Sequence, residues 1–98
     1  MNTSILIASQ VGTDISSRSR AARLRAEVVR EIANGTETVT LDFTDVRTVS
    51  ESFADELFAV LVADYGDEWF RRHIIVTNLT TFQRKTILTA VANRICPA

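Results

Sequence analysis

The chain has 98 residues, 46 % hydrophobic and 23 % charged, with a formal net charge of −1; that is the balance of one ordinary globular domain spanning residues 1–98. The near-neutral charge excludes a global field for nucleic acid or for an anionic membrane. No apolar run approaches the roughly 20 residues of a membrane span, and the start lacks the basic region and long apolar stretch of a signal peptide, so a cytoplasmic location is expected.

The period of the apolar pattern changes along the chain. Ser4–Ala8 is a short apolar run and reads as a strand, followed by a turn at Gly12-Thr13-Asp14. From Ser17 to Ala33 the period is helical, with Ala21, Leu24, Val28 and Ile32 on one face and Gly35 as the left-handed cap. Thr38–Phe43 alternates and is rich in β-branched residues, which predicts a second strand. A loop leads to a helix over Ser52–Tyr65, stopped at Gly66. A third strand is expected over His73–Thr77 and a last helix over Thr81–Arg94, ended by Pro97. The order β-α-β-α-β-α predicts an α/β fold with a small, largely parallel sheet covered by helices.

The middle helix is apolar around most of its circumference: Phe53, Ala54, Leu57, Phe58, Val60, Leu61 and Val62 leave only a narrow arc to Asp55, Glu56, Ala59 and Ala63. Such a helix is either buried on several sides or meets a partner. A homodimer through this helix or through an edge strand is compatible with the pattern.

Chemical sites are sparse. One histidine and one cysteine give no metal-binding pattern. Cys96, which has no second cysteine to pair with, reads as a frayed or half-buried apolar residue. His73 reads as a solvated edge residue, with nothing to place it beside a serine. Glycines 12, 35 and 66 stand singly at turns and helix ends, so no phosphate loop is present and no cofactor is expected. The first helix opens on Ser17-Arg18-Ser19-Arg20, which puts cations where the helix dipole disfavours them. Arg18 and Arg20 therefore call for a compensating anion, within the chain or on a partner. Arg25, mid-face among Ala21, Val28 and Ile32, needs a partner or a route for snorkelling.

After the second strand, Ser50-Glu51-Ser52 leads to Asp55 and Glu56. Ser52 and Asp55 have the spacing of a capping box, as do Thr80 and Gln83 before the last helix. Parallel strands deliver the helices that follow them to one sheet edge. Arg18, Glu51, Ser52, Asp55 and Thr80 are thus expected to cluster there, with Arg18 paired to Asp55 or Glu56.

Leu41-Asp42-Phe43-Thr44-Asp45-Val46, Ser52-Phe53-Ala54-Asp55-Glu56-Leu57-Phe58 and the Ser17-Arg18-Ser19 opening resemble the STAS-like domain family of unknown function, over about residues 4–95. That family is similar to STAS domains, among them the anti-sigma-factor antagonists. The resemblance implies a small cytoplasmic domain that binds a regulatory protein kinase and is switched by phosphorylation at the start of the helix after an Asp-Leu-Ser-like strand. That position falls on Glu51, which cannot be phosphorylated, and Phe53 stands where antagonists carry a small glycine. Three readings stay open: Glu51 is a permanent charge in that place, Ser50 or Ser52 takes the modification, or the loop is no switch. Members of the family often accompany histidine-kinase-like ATPase modules, so a partner of that kind is expected in trans.

The expected function is accordingly a non-catalytic regulatory, protein-binding module, with Arg18, Arg20, Ser50, Glu51, Ser52, Asp55 and Glu56 as the partner-binding residues. Two other classes are weighed. A small enzyme would use Asp55, Glu56 and Arg18 as an acid–base site. A nucleic-acid regulator would use the basic first helix, although Arg18 and Arg25 lie near its apolar face, Arg20 and Arg23 on the other, and Glu27 and Glu31 dilute the charge.

Overall fold

A computed structural model describes residues 2–12, 14–15 and 17–95; the expectations for Thr13, Cys96 and Pro97 lie outside them. The elements in chain order are β1 (Asn2–Leu6), α1 (Ile7–Val11), β2 (Asp14–Ile15), α2 (Arg18–Ala33), β3 (Thr38–Asp42), β4 (Thr48–Val49) and α3 (Glu51–Ala54). A π-helical segment (Asp55–Ala59), α4 (Val60–Tyr65), α5 (Asp67–His73), β5 (Ile74–Thr77) and α6 (Thr81–Ile95) complete the chain.

The expected α/β class is the observed one. β3 is the central strand, with β1 and β5 parallel to it on either side. The register sets Ile5 opposite Leu41 and Ile74 opposite Val39, so the four line one face, where all are buried. On the other face Ser4, Leu6 and Ile75 are exposed. The helices therefore cover one face of the sheet. Strand order advances in one direction, and right-handed crossovers then place every connecting helix on the same side. A second short parallel ladder joins β2 to β4, pairing Asp14 with Thr48 and Ile15 with Val49.

The run α3–π–α4 lies between α2 and α6 and packs on both. Phe53, Leu57, Phe58, Ala59 and Leu61 are wholly buried, so the apolar circumference of this helix is consumed inside its own domain. Phe58 stacks near Phe43 and meets Phe70 edge-on, with ring centroids 6.1 Å apart in both pairs. No helix among the described residues is long and apolar enough to cross a membrane.

Several boundaries differ from the sequence reading. The first strand ends at Leu6, because its partner β3 ends at Asp42. Ile7 turns into the one-turn α1 and is fully buried. The helix α5 is an addition. Its acidic first turn and basic last turn complement the dipole, and Arg71–Asp67 at 3.0 Å and Arg72–Glu68 at 3.3 Å pair along it. His73 thus ends a helix rather than opening a strand, is half-buried, and lies 2.7 Å through Nδ1 from the Glu37 carbonyl oxygen. At the end of α2, Gly35 adopts φ 104° while the Gly35 and Thr36 amides donate to the Ile32 and Glu31 carbonyls. Only glycine takes that backbone conformation at little cost.

Candidate functional site

Three helices meet at a cleft of about 580 Å³ lined by Arg18, Glu51, Ser52, Asp55, Asn93 and Arg94, with Ala90 at its base. Two of these helices begin with side-chain caps. Ser17 caps α2 by accepting from the Arg20 amide at 3.3 Å. Ser50, in extended conformation, caps α3 by accepting from the Phe53 amide at 3.0 Å. The expected cap was Ser52. The cap lies two residues earlier and the helix begins at Glu51, which places Ser52 inside the first turn and in the lining of the cleft.

A π segment follows at once. Val60 donates its amide to the Asp55 carbonyl, five residues back. A π turn shifts the bonding pattern and leaves a main-chain carbonyl in need of another donor. Arg25 of α2 supplies one. Its Nη1 donates to the Glu56 carbonyl oxygen and, at 2.6 Å, to the Glu56 carboxylate. That is the partner the mid-face position of Arg25 required.

Asp55 is gripped from both sides. Arg94 donates to it through Nε at 2.8 Å and Nη2 at 2.7 Å, a two-pronged pair. Arg18 donates through Nη1 at 2.9 Å and reaches Glu56 at 3.4 Å. The expected pairing of Arg18 is therefore present with both carboxylates. One ionic chain runs Arg94–Asp55–Arg18–Glu56–Arg25 and ties α6, the π segment and α2 together. Beside it, Asn93 of α6 donates to Glu51 of α3 at 3.1 Å.

The electrostatics follow from this geometry. Arg94 first, and Arg18 after it, hold the Asp55 carboxyl down to about 2, against the opposing effect of burial. Glu56 is lowered chiefly by its hydrogen bond from Arg25. Arg18 and Arg94 are raised in return, each mainly by Asp55. Both carboxylates are thus ionised at neutral pH, and neither is poised to donate a proton there. Ser52 faces no histidine, since His73 sits at the end of α5, an element that lines none of this cleft. Among the described residues no group of three His, Cys, Asp or Glu could hold a metal ion.

Donors are left over. Arg18 is half-exposed at 52 % and spends only Nη1 on the carboxylates. Arg94 spends Nε and Nη2.

One expectation of the cluster needs correction, and one residue of the expected partner-binding set lies apart from the others. Arg20 lines a separate cleft of about 560 Å³ between α1 and α2, with Ser9, Gln10, Gly12 and Arg23. It lies two residues from Arg18, and 200° of helical rotation sends it to another side. The correction is Thr80, which does not line the cleft of Arg18. It forms the expected capping box with Gln83, both bonds 3.0 Å, and Gln83 donates to the Val46 carbonyl at 2.8 Å. The last helix gives the cleft its end, Ala90 to Arg94, because it runs from the sheet rim along α3 instead of starting beside Arg18. Arg94 and Asn93 are the site residues that sequence reading missed. A cation in a last helical turn is common and carries no mark of its own.

A family model covers most of the chain that builds this domain. Residues 20–81 match the STAS-like domain of unknown function (DUF4325), and the chain belongs to that family. The matched stretch contains Ser50, Glu51, Ser52, Asp55 and Glu56, whereas Arg18 and Arg94 lie beyond its two ends. No curated protein and no solved structure matches the chain.

Proposed function

We propose that the chain is a non-catalytic regulatory module that binds a signalling protein in trans, of histidine-kinase-like ATPase type, through the cleft at Arg18, Ser52, Asp55 and Arg94. The observation that carries this reading is the half-exposed Arg18 guanidinium lining the cleft, two of whose nitrogens bond to none of the described residues. Those donors, Arg94 Nη1 and the Ser52 hydroxyl suit an acidic group presented by another protein. The firmly ionised carboxylates speak against the acid–base enzyme, which would require one of them raised. Glu51 brings a fixed negative charge to the start of α3, the end of a helix where an anion is favoured.

The test is affinity capture from the native cell with the wild-type chain, Arg18→Ala and Glu51→Lys, read by quantitative mass spectrometry with scoring of phosphorylation at Ser50 and Ser52. The expected result is an ATPase- or kinase-like protein retained by the wild type and depleted at least tenfold by both variants. Equal retention by all three chains would refute the cleft as the binding surface.

A further inference from the structure

The outer face of α6 takes no part in the cleft or the core. Phe82 is 77 % exposed, Leu88 61 % and Ile95 46 %. On a helical wheel Leu88, Ala92 and Ile95 form one exposed stripe. Arg84 and Lys85 flank that stripe, and neither makes an ion pair with any described residue. From Thr81 to Ile95 the sequence contains no aspartate or glutamate. Two shallow grooves run along this face. One lies beside Leu88 and Ala92 and is almost wholly apolar, with Arg84 and Lys85 on its border. The other lies beside Phe82 and Thr86, with Val49 and Glu51 on its far side and with Lys85 and Thr89 shared between the two.

We infer that this face is a second docking surface, for an amphipathic helix of another protein whose apolar stripe is bordered by acidic residues. Apolar side chains spaced by a helical turn fit a groove lying along α6, as ridges fit grooves in helix packing. The two unpaired cations select an acidic border and repel a basic one. A second copy of this chain suits the face poorly. Antiparallel pairing of α6 with itself would bring Arg84 and Lys85 towards Arg94 of the other copy, with no acid on either helix. A membrane surface is disfavoured too, since two cations beside a net charge of −1 give little attraction to anionic lipid.

The proposal is tested by placing a photo-crosslinking residue at the stripe, Leu88→p-benzoylphenylalanine, in the full chain expressed in its native cell, and sequencing the crosslinked peptide. The expected product joins position 88 to a predicted helix of another protein with at least two Asp or Glu beside its apolar positions. That adduct falls at least tenfold in the Arg84→Glu/Lys85→Glu background and is unchanged by Arg18→Ala, which separates this surface from the cleft. Circular dichroism of the charge-reversed chain checks that it is folded. A homodimeric adduct, a lipid adduct, no adduct, or an adduct indifferent to charge reversal each overturns the proposal.

Discussion

Asp55 concentrates the electrostatics of the cleft in one side chain. Its folded-state value of about 2 lies below the ordinary carboxylate value of about 3.9. Its contribution is therefore complete above about pH 4 and is lost as pH falls through about 2. With its partners partly in solvent, the contribution is on the order of 1–2 kcal/mol. Asp55→Asn should lower stability at pH 7 by that amount and flatten the loss between pH 4 and 2, as read by urea unfolding across that range. Gln83 is the comparable residue of the fold. It is 1 % exposed and bonded both to the start of its own helix and to the Val46 carbonyl. Gln83→Ala leaves those groups without partners, and a loss of about 1–3 kcal/mol is expected in the same assay.

At the scale of elements, the caps and the π segment are separable by substitution. Ser50→Ala removes the cap of α3 and should cost about 1 kcal/mol. Ser52→Ala removes no cap and should stay within about 0.5 kcal/mol. Equal effects in chemical denaturation would mean that the helix start is misassigned. Arg25→Met keeps much of the stem but removes the donor to the Glu56 carbonyl and carboxylate. Amide exchange over residues 55–61 should then quicken more than exchange in β3, because the π turn has lost the group that satisfies it. An unchanged exchange pattern would show that the π turn is held by packing alone.

For the whole molecule, the helical layer matters more than the sheet, since the three strands bury only one face. Phe58 joins Phe43, at the end of the central strand, to Phe70 on α5. Phe58→Ala opens a cavity worth about 3–5 kcal/mol, against the roughly 5–15 kcal/mol of a typical domain. A large fall in midpoint temperature is expected by calorimetry. Thr40→Ala, on the uncovered face of β3, should change it far less.

The sequence by itself determined the alternation of strands and helices, the apolar circumference of the middle helix, the capping box of α6 and the meeting of Arg18 with Asp55 or Glu56. These depend on local periodicity, on residue chemistry near in sequence, and on the rule that parallel strands share an edge. It also carried the charge order of α5, which the apolar run beginning at Ile74 obscured. Only the tertiary structure decided which end of α6 faces the cleft, that Arg94 outweighs Arg18 as the partner of Asp55, and that residues 55–59 widen into a π turn around Arg25. The reason is common to all three: each depends on where one helix lies across another, and that is set by side-chain packing between segments some 30 to 40 residues apart, which no local pattern encodes.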